Sequence, residues 1–183
     1  MPADWLRISS LAEGRLARDI ADFRPTHIVS LINPDLLPER RPRFPEDADV
    51  HQIERLDIDS DGMRAPDGTA VADMIAWLQP VVAARRAGNP VRLISHCHQG
   101  ISRSTAAALT ALAIYHDGDA ELAIEDLLAV TNKPWPNAKI VALADAYLGL
   151  GGRLTAIVDE YRAAHRFRPR SYGRLQRRTG LYL

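Results

Sequence analysis

The single cysteine of this chain, Cys97, lies in the run Ser95-His-Cys-His-Gln-Gly-Ile-Ser-Arg-Ser104. A β-branched apolar stretch precedes that run and an Ala-rich stretch follows it, so it reads as a loop between a buried strand and a helix. A loop feeding a helix N-terminus aims several main-chain N–H groups at one point, where the helix dipole adds partial positive charge. Gly100 permits the tight turn such a cradle needs. Arg103 can fork two guanidinium nitrogens onto one oxyanion. The cradle suits a phosphate dianion, and the same field suits an ionised sulfur at Cys97 that attacks phosphorus in line. The Ser104 hydroxyl is placed to donate to that sulfur and improve it as a leaving group. The binding loop then comprises His98, Gln99, Gly100, Ile101, Ser102 and Arg103, with the side chains of His98 and Gln99 expected on its outer rim near the leaving group. A lone cysteine in such a place is most often a small buried hydrophobe. The glycine three residues on, the arginine six on and the hydroxyl seven on set this one apart.

His96-Cys97, Gly100, Arg103 and Ser104 resemble the His-Cys-x5-Arg-Ser/Thr loop of the protein tyrosine phosphatase superfamily, and Gly100-Ile-Ser-Arg-Ser is similar to its dual-specificity branch. Thr26-His-Ile-Val-Ser-Leu resembles that branch's early strand, and Pro136-Asn137 the start of its later helix. The resemblance implies a phosphate-monoester hydrolase working through a phosphocysteine intermediate, with no metal and no cofactor. It implies Cys97 as nucleophile, Arg103 as phosphate clamp, Ser104 as partner of the sulfur and His96 as the residue that orients the nucleophile. The implied substrate is phosphorylated, a phosphotyrosine protein first. Phosphoserine, phosphoinositides and RNA 5′-phosphates are used by relatives with the same loop, and the loop's variable positions carry no Lys to favour a highly phosphorylated inositide. The resemblance further implies an Asp general acid on the loop before the long second helix, here Asp57-Ile-Asp-Ser-Asp-Gly62. A gapless placement puts Ser60 at the acid's position. Asp57 is read as lying on the strand, which leaves Asp59 or Asp61, and Asp61 is preferred because Gly62 beside it allows movement. The same segment also reads as a plain turn or a cation site.

These residues need a scaffold. Trp5 to Ile8 reads as an edge strand and Leu11 to Ala21 as a helix. His27 to Ile32 reads as a buried strand, and Val50 to Ile58 as another. Between the two, Pro34, Pro38, Pro42 and Pro45 mark a surface excursion. Thr69 to Arg86 is an apolar-faced helix with Val71, Met74, Ile75, Leu78 and Val82 inward and a kink expected at Pro80. Val91 to Ser95 is the strand before the loop, and Arg103 to Tyr115 the helix after it. Three further helices follow, Asp119–Val130, Asn137–Leu148 and Leu154–His165, with Asp119 and Asn137 as N-caps and Gly149 to Gly152 as a stop. The expected fold is α/β: a small, mostly parallel central sheet flanked by helices, with the phosphate-binding loop between a strand and a helix. Residues 1–152 form the expected phosphatase domain, and 153–183 a C-terminal helix and Arg-rich tail packed on it. Trp5, Trp77 and Trp135 are expected in the core, and His27, His51, His116 and His165 share no metal-binding spacing.

Composition excludes several classes. The chain has 183 residues, 46% hydrophobic and 25% charged, which fits one soluble domain and not a disordered chain. Apolar runs break before the roughly eighteen residues a membrane span needs, so no membrane partner is expected. Asp4 and Arg7 are wrong for a secretory leader. One cysteine excludes a disulfide framework and makes a cytoplasmic enzyme the default. From Arg153 onward eight Arg face only Asp159 and Glu160, leaving +6 there and −6 on the rest of a neutral chain. That tail either meets an anionic partner such as nucleic acid or folds back on its own acidic body, and the second is preferred. Arg outnumbers Lys 21 to 2 and Ala is abundant, which suits a GC-rich, bacterial source. The pattern says nothing of oligomeric state. Against the phosphatase stand a phosphate-binding module without turnover, an RNA 5′-phosphatase and, more remotely, a sulfur transferase.

Overall fold

The computed structural model describes residues 4–132 and 134–168. Strands β1 (Leu6–Ser10), β2 (His27–Ile32), β3 (Asp49–Glu54) and β4 (Leu93–Cys97) form one sheet in the order β1-β4-β2-β3. Every pairing is parallel. The mostly parallel sheet expected from sequence is wholly parallel among the described residues. Helices α1 (Arg15–Phe23) and α2 (Gly68–Arg86) lie in the crossovers that parallel strands require, and α3 (Arg103–Tyr115), α4 (Ala120–Val130), α5 (Ala138–Leu148) and α6 (Arg153–Ala164) follow β4.

Alternation along the strands sets the two layers. Ile28 and Ile94 are register partners on β2 and β4, and they pack with Leu16, Phe23 and Phe44 on the α1 side. Val29, Leu31 and Leu93 belong to the main core, which α2 to α6 share. At its centre is α3, buried at every position from Arg103 to Ala113. Its alanines, Ala106, Ala107, Ala108, Ala111 and Ala113, leave room for α2, α4 and α5 to approach closely.

Helix ends follow local chemistry. Asp119 accepts from Leu122 N at 2.9 Å, and Asn137 from Ile140 N at 3.0 Å, so both expected N-caps form. Asp67 caps α2 by accepting from Ala70 N at 2.9 Å, and the helix runs through Pro80 to Arg86 without the break that proline suggested. Gly149, with φ of 67°, closes α5 in the left-handed region. Only Trp5 is a core tryptophan; Trp77 and Trp135 are half-buried.

Two boundaries differ from the sequence reading in ways that matter. β4 starts later and ends at Cys97, so the sulfur sits on the last strand residue. β3 ends at Glu54 and not at Ile58, because its partner β2 stops at Ile32 before Asn33-Pro34. Arg55 N still donates to Ile32 O at 3.1 Å, but Leu56 N turns away to Arg64 O at 2.8 Å, closing the loop on itself. Asp57 is therefore a loop residue. No helix among the described residues is long and apolar enough to cross a membrane. The Arg-rich run beyond Arg168 lies outside the described residues.

Leu154 and Val158 bury α6 against the core, and Asp145 fastens its start. Asp145, 2% exposed, accepts from Gly152 N at 2.7 Å and from Thr155 N at 2.8 Å. Asp145→Ala leaves two donors without their acceptor and should cost about 2 kcal/mol of folding free energy in a denaturant titration. An unchanged midpoint would show that α6 is not held this way.

Candidate active site

Cys97 ends β4, Asn33 directly follows β2 and Asp57 follows β3, so all three lie toward the carboxyl edge of the sheet, where open α/β sheets bind ligands. Cys97 is buried, with Sγ 3.2 Å from both the Ser104 hydroxyl and the Gly100 main-chain N–H. Gly100 is left-handed at φ +69°, and a Cβ there would stand 2.8 Å from the Ser9 carbonyl oxygen of β1. Conformation and space both demand glycine.

Four of the loop's carbonyls, those of Cys97, His98, Ile101 and Ser102, are tied down by the scaffold. Leu11 N donates to Cys97 O at 3.2 Å and to His98 O at 3.1 Å, and Trp135 N donates to Ile101 O at 2.9 Å. Ser102 O accepts from Asn137 N at 3.3 Å, and the Thr105 hydroxyl donates to Ile101 O at 2.5 Å and to Ser102 O at 2.9 Å. Beneath them Ser95 Oγ donates to Ser104 O at 2.8 Å. A loop whose carbonyls face the scaffold presents its N–H groups to the other side, which is how a main-chain anion nest is made.

Arg103 opens α3 and is 1% exposed. Its Nη1 donates to Asn33 Oδ1 at 2.9 Å and to Arg55 O at 2.6 Å. Nε stands 3.6 Å from Asp57 Oδ2, an ion pair beyond hydrogen-bond length. Nε and Nη2 have no hydrogen-bond partner among the described residues. These two form one edge of the guanidinium, the edge that can fork onto an oxyanion. Nη1 thus fixes the orientation, and the opposite edge keeps two donors for a ligand.

Asp57 occupies the position beside this clamp. Its Oδ1 accepts from the Ser102 hydroxyl at 2.6 Å and from Asn137 Nδ2 at 2.9 Å. Asn137 Nδ2 also donates to Ile58 O at 3.2 Å, so one residue caps α5, holds Ser102 through its main chain and holds the Asp57 segment through its amide. Asp59 instead accepts from Ala138 N at 2.8 Å and pairs with Arg162 of α6. Asp61 is 97% exposed and paired with Lys139. The three aspartates take three separate sets of partners and do not converge as cation ligands would.

Both loop histidines are buried. Desolvation pushes His96 down to about 3, against a smaller opposing contact with the Cys97 main chain, and its ring lies 5.7 Å from that of Phe44. Desolvation, reinforced by the Arg103 charge, pushes His98 down to about 4. His98 accepts from Asn33 N at 3.1 Å through Nε2, which fixes it as neutral imidazole on the Asn33 turn. The outer-rim position expected for His98 is therefore corrected: 1% exposed, it buttresses the loop from within. Gln99 is half-buried. Of the residues singled out by sequence, Cys97, Gly100, Ser102, Arg103 and Ser104 are joined in one network, with His96 in the strand beneath. Asn33, the Arg55 carbonyl and Asp57 are the members that sequence reasoning passed over. The strand overextension hid Asp57, and the Asn-Pro end of β2 was the one local cue to Asn33.

No protein-family model and no curated protein matches the chain in sequence. Solved structures do match it in fold. Human DUSP28 covers 80% of this chain and 93% of its own, at 18% identity and a TM-score of 0.56. The human tyrosine phosphatase-like serine/threonine/tyrosine-interacting protein covers 80% and 92%, at 16% identity and 0.57. A mouse putative dual specificity phosphatase, solved in complex with zinc tungstate, covers 82% and 86%, at 16% identity and 0.57. The chain has the fold that these proteins share.

Gly100→Ala should cost about 1–3 kcal/mol of stability and weaken vanadate binding, read by denaturation and by calorimetry. Unaltered binding would remove the loop conformation from the account. In the unfolded chain His96 and His98 take up protons near 6.5, whereas in the folded chain they do so only near 3 and 4. Between those values the unfolded state binds more protons, so stability falls as the pH falls below 6.5. Denaturation midpoints at pH 7 and pH 5 should show that loss, and it should shrink in His98→Asn.

Proposed function

We propose that this chain is a phosphate-monoester hydrolase of the cysteine-dependent, dual-specificity type. The observation that carries the reading is the buried Arg103 guanidinium, pinned through Nη1 and keeping Nε and Nη2 for an oxyanion on the loop that carries Cys97. The fold shared with a dual specificity phosphatase supports it, as does the tungstate, a tetrahedral oxyanion, in the mouse protein's structure.

A substrate phosphate sits on the loop amides from His98 to Arg103 and on the free guanidinium edge. The ionised Cys97 sulfur attacks phosphorus, forming the S–P bond as the ester P–O bond breaks. Asp57 gives its proton to the departing oxygen. Asp57 next takes a proton from water as that water attacks phosphorus. The S–P bond breaks and the electron pair returns to Cys97, where the Ser104 hydroxyl at 3.2 Å and the Gly100 N–H stabilise the thiolate. His96 orients Cys97 from the strand. Asp57 is assigned the acid in place of Asp61 or Asp59, because it alone of the three is bonded to the loop and ion-paired to Arg103. No step calls on a metal or cofactor.

The substrate class proposed is a phosphorylated protein, with phosphotyrosine first, and the proposed place of action is the cytoplasm. Residues 1–152 are taken as the phosphatase domain and 153–183 as its helix and tail.

With an aryl phosphate as substrate, Cys97→Ser should abolish turnover while retaining binding, and Arg103→Lys should cripple the enzyme because Lys has no fork. Asp57→Asn should slow turnover by about 10²–10⁴-fold, and Asp61→Ala should leave it unchanged. Vanadate or phosphate binding by a wild-type chain with no hydrolysis would establish the binding-module reading instead. A full loss in Asp61→Ala with none in Asp57→Asn would restore the acid to Asp61.

A further inference from the structure

Helix α6 meets the Asp57 segment through Arg162. Arg162, on the last turn of α6, pairs with Asp59, two residues after Asp57, and its side chain is 17% exposed. The same guanidinium lies over the Trp135 ring, 4.7 Å from its centroid. Trp135 is the residue whose main-chain N–H holds the Ile101 carbonyl of the phosphate loop. One cation thus touches the segment that carries Asp57 and the segment that pins the loop.

The rest of the Asp57 segment is held by the phosphate loop, whose Ser102 hydroxyl and Arg103 guanidinium meet the Asp57 carboxylate, and by the start of α5. Ile58 O and Asp57 Oδ1 rest on the Asn137 amide, and Asp59 Oδ1 rests on Ala138 N. All three bonds come from the start of α5. Arg162 adds a tie from a different helix, and that helix is anchored independently through Asp145 and the buried Leu154 and Val158. A carboxylate acid must sit within hydrogen-bond reach of the leaving oxygen, and an error of an ångström in such a group is costly. A charge-assisted contact supported by ring stacking suits that task better than a lone surface pair.

We propose that Arg162 is a positioning residue: it straps the Asp57 segment to α6, with Trp135 as its platform, and so sets the acid's reach to the leaving group. This rests on the phosphatase reading with Asp57 as acid. It deepens that reading by assigning a role to a helix outside the part of the chain that carries the nucleophile and clamp. Arg162 touches no substrate and acts only through Asp59 and Trp135.

Leaving-group dependence separates positioning from mere stability. The full-length chain and its Arg162→Ala, Arg162→Lys and Asp59→Asn variants are assayed on phenyl phosphate, whose poor leaving group needs the acid. They are also assayed on an aryl phosphate with strongly electron-withdrawing substituents, whose leaving group does not. Vanadate affinity is measured alongside. Arg162→Ala and Asp59→Asn should each lower kcat on phenyl phosphate by roughly 10- to 100-fold. They should lower kcat on the activated ester by less than about 3-fold and leave vanadate binding unaltered, because each cuts the strap and spares the clamp. Arg162→Lys keeps the charge without the planar stack and should fall between. Combined with Asp57→Asn, Arg162→Ala should add nothing on phenyl phosphate. Equal losses on both substrates, or no loss on either, overturn the strap while the phosphatase reading stands. Should Arg162→Ala fail to fold, Asp59→Asn cuts the same bridge from its more exposed end and decides the matter. A wild-type chain that hydrolyses neither ester removes the phosphatase reading and the strap with it.

Discussion

A guanidinium cation held almost wholly out of water is the constraint on which the remaining structure turns. Burying such a charge is costly unless its donors are met. Arg103 meets the cost in part: Asn33 and the Arg55 carbonyl take Nη1, and Asp57 stands in ionic contact with Nε. Those partners come from the segments after β2 and β3, while Arg103 itself follows β4. Three strand ends are therefore fixed by one side chain. Asn33, through its own main-chain N–H, then fixes His98, which belongs to the same loop as Arg103. The network closes on itself, which favours one loop conformation over many.

The electrostatics of the two loop histidines serve the same end. A neutral His96 and a neutral His98 keep extra charge out of a region where Arg103 already supplies it. Positive potential is concentrated at the guanidinium edge and the loop amides, where an anion can use it, and is not spread through the strand beneath. The price is sensitivity to acid, since two imidazoles must then gain protons in unfolding and not before.

Much of this arrangement was legible in the chain. Alternation and β-branched runs predicted the four strands, and Asp119, Asn137 and Gly149 marked helix ends by chemistry that works locally. The Cys97-to-Ser104 loop was legible because its parts are close in sequence and each has a short-range reason. What escaped was the part built from distant residues. Asn33 and Asp57 lie seventy and forty-six positions from Arg103, and nothing local in either announces the pairing. Asp57 was also masked by a strand boundary: the apolar pattern through Ile58 continues, but β3 loses its partner at Ile32 and the backbone turns. Burial of His98 was hidden for a similar reason, since its place is set by the Asn33 turn and not by its neighbours. Arg162 reads from sequence as one of many tail arginines.

The preformed clamp is tested most directly by a crystal structure of this chain grown with tungstate. The anion should sit on the 97–103 loop above Cys97 Sγ, with Arg103 Nε and Nη2 both on its oxygens and Nη1 still on Asn33 and the Arg55 carbonyl. An anion bound elsewhere, or one on the loop with Arg103 swung off Asn33 to reach it, would contradict the claim that the clamp is built in advance.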